Sequence, residues 1–210
     1  MMESSKIIDV EGVKADAFST DNGTVPNRVA NDALRTRDYL LESEVDRIEK
    51  QAKKGRNPKR DSLMVRMAFR HGLRVSELID IRWSDIDFKQ AAIHVRRLKG
   101  SMDSTHPIAR EDLRALKALH KEKTSPYVFT SERGSPMSAA GFRKQFARWG
   151  KAAELDFPCH PHQLRHACGH HLANKGVDTR RLQLYLGHAS INNTVRYTQL
   201  ASHAFNGFWD

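Results

Sequence analysis

Residues 159–200 read CHPHQLRHACGHHLANKGVDTRRLQLYLGHASINNTVRYTQL, and they concentrate basic, imidazole and phenolic side chains more densely than any other segment. His162, Arg165 and His166 are spaced i, i+3 and i+4, so a helix places them on one face. We predict this helix over residues 162–175, closed by Gly176. Its polar face is the feature around which the rest of the chain is organised.

A second pair of groups in this segment requires a break in the backbone. His188 follows the next predicted helix, which Asp178 or Thr179 would cap, and Tyr197 comes nine residues later. In one straight helix this spacing would separate the two side chains by about 13 Å and about half a turn. We therefore predict that the chain turns back near residues 190–193, which would let both side chains reach one point.

The composition limits the partners of the chain. Its 210 residues include 35 Lys and Arg against 25 Asp and Glu, a net charge of +10, which favours nucleic acid over an anionic membrane. Cys159 and Cys168 are too few for a disulfide framework and suit a reducing compartment. Without a long apolar run or a signal-like N-terminus, we expect a cytoplasmic, nucleoid-associated protein with no membrane partner.

The periodicity predicts a mainly α fold with a small antiparallel β-sheet, an α+β class. Residues 1–36 are polar and without a stable period, which predicts a flexible arm, and residues 37–210 form one domain. Apolar residues recur at helical spacing from Tyr39, Pro58 marks a loop, and Ser76 is placed to cap a short helix. The other helices are predicted at 61–71, at 111–121 and from 138, with Phe142, Phe146 and Trp149 in the core, and the strands at 86–88, 91–98 and 105–109.

The polar residues match what attack on a phosphodiester requires. Guanidinium groups, here Arg165 and Arg74 of the turn GLRVSEL, stabilise the charge that develops on the phosphate oxygens. The Tyr197 phenol is a candidate nucleophile if cations or an imidazole favour its ionisation, and a lysine on a turn can protonate the leaving oxygen. Each residue also has an ordinary structural role: Arg74 could pair with Glu77, and Tyr197 could be a core tyrosine.

Four motifs, taken together, resemble the tyrosine recombinase (phage integrase) family. They are GLRVSEL at 72–78, HPHQLRH at 160–166, LGH at 186–188 and VRYTQ at 195–199, and the resemblance runs from about Leu40 to the C-terminus. Within the family, RLKGSMDSTHPI at 97–108 and FNGFWD at 205–210 resemble the small fimbrial phase-variation invertases. The resemblance implies the integrase catalytic-domain fold and site-specific DNA recombination.

The resemblance also implies a role for each site residue. Arg74 and Arg165 would clamp the scissile phosphate, and Tyr197 would form a 3′-phosphotyrosyl link. Lys99 would protonate the leaving 5′-hydroxyl, His188 would donate to a phosphate oxygen, and His162 would handle the tyrosine proton or contact the phosphate. Glu77 and His166 would play supporting roles. No metal and no cofactor is needed, because the covalent intermediate conserves the bond energy.

The partners implied are duplex DNA with paired recombination sites and a homotetramer on that DNA, together with possible accessory DNA-bending proteins. Arg143, Lys144 and Arg148 are candidates for groove contact, although a solvated basic face explains them equally well. Two departures from the family pattern stand out. About 36 polar residues precede the first helix, too few for a separate N-terminal core-binding domain, and Leu41 stands where a capping Thr or Ser is usual.

Three alternatives remain open at this stage. A type IB topoisomerase-like enzyme would share the chemistry but reseal within one duplex. A non-catalytic DNA-binding regulator could keep the fold, although the full set of chemical residues argues against it. A metal-binding module would use the cysteines and histidines of residues 159–171, but their spacing lacks two short ligand pairs.

Overall fold

A computed structural model of the protein describes residues 37–97 and 101–199, which belong to one compact unit. Helices dominate it, and one short antiparallel sheet lies between the third and fourth of them, so the predicted α+β class is confirmed. The elements in chain order are α1 (Glu42–Ala52), α2 (Pro58–Arg70), α3 (Val75–Ile79), a 3₁₀ turn (Trp83–Asp85), β1 (Ile86–Asp87), β2 (Ala92–Val95), β3 (Ser104–Pro107), α4 (Arg110–Lys121), α5 (Ala139–Ala152), α6 (His162–Asn174), α7 (Thr179–Leu186) and α8 (Asn192–Gln199).

The sheet has the order β1-β2-β3, with Ile86 opposite Ile93 and Ile93 opposite His106. The second and third strands are shorter than predicted. Beyond Val95 the backbone N–H of Arg97 donates to Asp103 Oδ1 at 2.7 Å, so a side chain takes over from strand pairing.

The core lies where the helices meet, and its apolar side chains follow the predicted helical spacing. Phe142 and Phe146 of α5 are fully buried, and Trp149 is nearly so, which confirms the predicted aromatic stripe. Leu63 and Met64 of α2 are equally buried. Each such side chain contributes about 1.5–3 kcal/mol through its removal from water. This core fixes the helices that carry the polar groups.

Two predicted helix starts are wrong. Helix α2 begins at Pro58 and not at residue 61, because a proline fits the first turn, where its missing N–H needs no partner. The residue before α3 is Arg74, and Ser76 lies inside the first turn. Glu77 accepts the Arg74 N–H at 2.8 Å, so this carboxylate closes the start of α3.

Helix α1 starts without a side-chain cap from Leu41, as predicted, and Leu41 is 47 % exposed. Glu44 compensates, since its carboxylate accepts the Leu41 N–H at 2.8 Å. The same carboxylate pairs with Arg37. Glu44 therefore ties both Arg37 and Leu41 to the first turn of α1.

The predicted chain reversal before Tyr197 is confirmed. Helix α7, capped by Asp178, ends at Leu186, and Gly187 adopts the left-handed conformation at φ 63°. Helix α8 then starts at Asn192 and packs on both α6 and α7. The turn brings the end of α7 and the phenol of α8 to the same side of α6.

No helix within the described ranges is both long and apolar enough to span a membrane. The predicted arm of residues 1–36, the predicted proton donor Lys99 and the stretch FNGFWD at 205–210 lie outside those ranges.

Candidate active site

One carboxylate, that of Glu77, lies among three guanidinium groups. Arg74 Nη1 donates to it at 2.6 Å and Arg97 Nη1 at 2.7 Å, and Arg165 Nη1 lies 3.8 Å away. The pKa of Glu77 is lowered, because Arg97 and the bonds from Arg74 outweigh the opposing effect of burial. The carboxylate is therefore ionised, and the cluster as a whole keeps an excess of positive charge.

Arg165 is 1 % exposed and is fixed by backbone carbonyls. Its Nη1 donates to Gly72 O and its Nη2 to Leu186 O, both at 2.6 Å. Burial, together with Arg74 and Arg97, lowers its pKa to about 10, so it stays charged at neutral pH. Two of its five N–H groups donate to these carbonyls, which fixes the orientation of the guanidinium plane.

Arg97 is a member of this cluster that sequence reasoning missed. Its side chain is fully buried, and besides Glu77 it donates to Tyr185 O at 2.6 Å, which joins the hairpin to α7. Only its place two residues before Lys99 could have drawn attention to it. The neighbouring Arg96 lies outside the cluster and pairs with Asp85 at 2.9 Å.

Tyr197 is 2 % exposed and lies among imidazole rings. The ring centroids of His170, His166 and His188 are 5.1, 5.9 and 6.2 Å from that of Tyr197. The phenol oxygen Oη is 2.9 Å from His166 Nδ1. Burial raises the pKa of Tyr197, while Arg165 and Arg196 act to lower it. The free protein therefore holds a neutral phenol in a hydrogen bond to His166.

The other two histidines of the predicted site are also neutral. Burial, then Arg165 and Arg74, lowers the pKa of His188 to about 3, and its Nδ1 is 2.8 Å from Thr194 Oγ1. His162 packs edge-on against His166 with centroids 4.6 Å apart, and burial followed by Arg165 lowers its pKa. The direct contact to the phenol thus comes from His166, for which only a supporting role was expected.

Helices α6 and α8 approach each other closely where the Tyr197 ring packs. A Cβ added to Gly169 of α6 would lie 2.8 Å from the Tyr197 ring. Only a glycine leaves room for the ring at this depth. The sequence gives no separate sign of this requirement, because a glycine inside a helix could serve many purposes.

The structure brings most of the predicted site residues together and leaves the predicted groove residues on the surface. Arg74, Glu77, His162, Arg165, His166, His188 and Tyr197 lie in the electrostatic and hydrogen-bonding cluster described above. Arg143, Lys144 and Arg148 are exposed on α5, and no acidic side chain of the described residues pairs with them.

The cysteines and histidines of residues 159–171 have other partners. Cys159 and Cys168 are buried, and burial raises the pKa of the Cys168 thiol to about 12. His170 stacks on Tyr39 at 3.8 Å, and His171 lies 3.2 Å from Glu42. In the described part of the chain, no three such side chains are arranged to hold a metal ion.

The fold and the arrangement of the site define a class, the catalytic domain of tyrosine recombinases. The structure matches a crystal structure of XerA recombinase with a TM-score of 0.70 and 30 % identity, over 81 % of this chain and 63 % of that one. A λ integrase dimer bound to a COC′ core site matches with a TM-score of 0.61 over 74 % of this chain and 59 % of that one, at 24 % identity, which shows the fold alone.

The chain belongs to the phage integrase family, whose sequence model matches residues 38–203. It is 39 % identical over 182 residues to type 1 fimbriae regulatory protein FimB of Escherichia coli K12, covering 84 % of this chain and 91 % of FimB. FimE of the same strain is 36 % identical over 184 residues, covering 84 % and 93 %. Tyrosine recombinase XerA of Pyrococcus furiosus is 32 % identical over 200 residues, covering 91 % and 65 %.

Proposed function

We propose that this chain catalyses site-specific DNA recombination through a 3′-phosphotyrosyl intermediate, and that it inverts a DNA segment. One observation carries the proposal. Three guanidinium groups share a single carboxylate at Glu77, and Tyr197 lies where the charge of Arg165 acts on it. A cluster with excess positive charge beside a phenol is suited to a phosphodiester.

In the proposed reaction Tyr197 Oη attacks the scissile phosphorus, and the bond to the 5′ oxygen breaks. Arg74 and Arg165 bind the non-bridging oxygens and stabilise the charge that develops on them. The side chain of Arg74 is one-third exposed, so DNA can reach it. Arg165 is buried and is held in a fixed orientation by two backbone carbonyls. His162 and His188 are assigned to the same phosphate. A free 5′-hydroxyl from another strand then reverses the step.

Lys99 is the proposed proton donor to the leaving 5′ oxygen, and it lies outside the described residues. Two other cations, Arg96 and Arg97, precede Lys99 in the sequence. Arg96 is paired with Asp85, and Arg97 is buried against Glu77. Because both guanidinium groups are already bound, the assignment of the donor to Lys99 is favoured.

Strand exchange requires two DNA sites, so we propose four copies of the chain on paired sites. Inversion is favoured because the chain resembles the fimbrial invertases in its motifs. It also matches FimB and FimE, two fimbriae regulatory proteins, over more than nine-tenths of their own length. Arg143, Lys144 and Arg148 are proposed to contact DNA. Affinity should fall steeply with salt, since phosphate contacts release counterions.

The test starts from DNA of the organism that encodes the chain. Purified protein is mixed with sheared genomic DNA. The DNA fragments that stay attached to the protein in denaturant, and are therefore covalently linked, are sequenced to find the target site. A duplex of that site, nicked beside the cleavage point, traps the intermediate. Wild type should become linked to the 3′ phosphate and Tyr197→Phe should not, while Tyr127→Phe, at a half-buried tyrosine whose oxygen is 3.4 Å from Arg82 Nη2, should behave as wild type.

A Tyr197→Phe variant that still forms the adduct contradicts the proposal. The biological outcome is tested on a plasmid that carries two recovered sites in inverted orientation. Inversion of the intervening segment supports recombination. Relaxation of supercoils without inversion would assign the chain to topoisomerase-like chemistry.

A further inference from the structure

We infer that His166 is a catalytic residue that takes the phenolic proton of Tyr197 as Oη attacks the phosphate. The inference rests on the proposed function and deepens it. Attack by a phenol requires that its proton leave, and the family resemblance gave His162 this task or a contact to the phosphate. His162 makes no hydrogen bond to Tyr197 Oη, whereas His166 does. The structure offers an acceptor already in contact with the reacting oxygen.

Geometry selects His166 among the histidines around the phenol. Its Nδ1 is 2.9 Å from Tyr197 Oη. His188 uses its own Nδ1 on Thr194 at 2.8 Å, and His170 is stacked flat on Tyr39. In the described part of the chain, no other side chain makes a hydrogen bond to Oη, so the proton has one acceptor within reach.

His166 is also in the right protonation state to accept. Burial and the nearby His162 are the main causes that lower its pKa to about 4, so the ring is neutral near pH 7. The inference assigns the lone pair to Nδ1, which faces the phenolic O–H, and the ring hydrogen to Nε2. The charged and titratable groups that act on the ring come from the chain start, α6 and α8: Asp38, which raises the pKa, and His162, His170 and Arg196, which lower it.

The step balances in atoms and charge. A bond forms between Tyr197 Oη and phosphorus, and the bond between phosphorus and the 5′ oxygen breaks with its electron pair on oxygen. The phenolic proton moves to His166 Nδ1, and the 5′ oxygen receives a proton from the donor assigned to Lys99. In rejoining, the His166 imidazolium returns its proton to Oη as the 5′-hydroxyl attacks. One imidazole therefore serves both directions.

Two substitutions separate basicity from positioning. In His166→Asn the amide Oδ1 takes the place of Nδ1 and still accepts a hydrogen bond from the phenol, but it cannot take the proton. His166→Ala removes both capacities. If His166 is the proton acceptor, both variants should form the adduct with the nicked duplex about 10²-fold more slowly, the low end of general-base effects. His171→Asn is the matched control, because His171 lies on the same helix but faces Glu42 at 3.2 Å and has no role in the proposed reaction; its rate should match wild type.

The pH profile gives a readout that a purely structural role would not change. Wild type should lose adduct formation toward acid pH, as His166 becomes protonated, and the control His171→Asn should show the same loss. His166→Asn should lack it. Replacement of Tyr197 by 3-fluorotyrosine, a more acidic phenol, should restore part of the His166→Asn rate, because less help is needed to remove its proton.

Three results would overturn the inference. The first is a His166→Asn variant within about threefold of wild type, below the range of general-base effects, and the second is a deficit that 3-fluorotyrosine leaves unchanged. The third needs no variant: nitrogen-15 NMR of the free wild-type protein showing Nδ1 of His166 protonated at pH 7. None of these bears on the proposed function, which fails if Tyr197→Phe still forms the adduct, if wild type forms none, or if the plasmid is relaxed without inversion.

Discussion

Glu77 is the residue on which the positive cluster depends. Its carboxylate is buried, and it lies within 4 Å of the guanidinium groups of Arg74, Arg97 and Arg165. A buried cation without a partner is costly, because its loss of hydration is no longer offset. The same carboxylate also closes the start of α3 through the Arg74 N–H. One side chain therefore joins the stability of the fold to the geometry of the phosphate clamp.

Glu77→Gln should lower the free energy of unfolding by about 3–5 kcal/mol, the usual result of removing one partner of a buried ion pair. The amide keeps the shape of the carboxylate but brings N–H groups toward guanidinium N–H groups. Unfolding in urea, followed by circular dichroism, measures the change.

The matched control for this variant is Glu111→Gln. Glu111 also pairs with an arginine, Arg70, but its side chain is mostly exposed. Exposed pairs contribute about 0–1 kcal/mol, so this change should be small. A Glu77→Gln variant as stable as Glu111→Gln would show that the cluster does not need its carboxylate.

At the scale of elements, α6 and α8 build the nucleophile site together. Helix α6 supplies Arg165 and His166, and α8 supplies Tyr197, whose ring lies against Gly169. The left-handed Gly187 and the turn after it allow α8 to return to α6. The packing of these two helices therefore sets the distance between Tyr197 Oη and His166.

Gly169→Ala should separate the activity from the stability of the chain. Its Cβ would lie 2.8 Å from the Tyr197 ring, so the ring must move and its bond to His166 lengthens. Alanine is better than glycine in a helix by about 1 kcal/mol, which offsets part of the clash. We expect adduct formation to fall at least about tenfold, or about 1.4 kcal/mol of barrier, with a cooperative unfolding transition retained.

Gly55→Ala is the control for that substitution. An added Cβ there would meet its nearest atoms at 3.6 Å, an ordinary contact. Its rate of adduct formation should match wild type. If Gly169→Ala also forms the adduct at the wild-type rate, the position of the Tyr197 ring does not depend on the space that Gly169 leaves.

Periodicity and turn chemistry predicted the elements well, because helical and strand spacing are local properties of the sequence. The aromatic stripe of α5 and the break before Tyr197 are examples. Helix starts are harder to place from sequence, because a proline such as Pro58 fits both a loop and the first turn of a helix. Arg97 could not be found this way, since its partners Glu77 and Tyr185 are distant in sequence and only the fold brings them together.

At the scale of the whole molecule, the fold gathers basic groups and excludes water from them. His71 at the end of α2 and His106 of β3 are both buried, with their Nδ1 atoms 3.3 Å apart. Burial lowers the pKa of each ring to about 3; Arg70 and Arg97 add to the effect on His71, and His71 and Arg97 to that on His106. Between about pH 3 and pH 6.5 the folded protein keeps both rings neutral, whereas in the unfolded chain the rings are protonated.

This difference predicts that acid destabilises the fold well above the range in which carboxylates titrate. Below pH 6.5 the unfolded chain binds protons that the folded chain excludes until about pH 3. Stability is therefore complete above pH 6.5 and falls as the pH drops, by up to about 1.4 kcal/mol per pH unit for each such histidine. Urea unfolding at pH 7, 6 and 5 measures the slope.

His106→Asn removes one of these groups and should make the slope shallower by up to about 1.4 kcal/mol per pH unit, whatever it does to the stability at pH 7. His94→Asn is the control, because the His94 side chain on the neighbouring strand is half exposed, and its slope should match wild type. Equal slopes in all three proteins would mean that His106 takes up its proton in the folded state as readily as in the unfolded one. The buried pair would then have opened to water before the fold was lost.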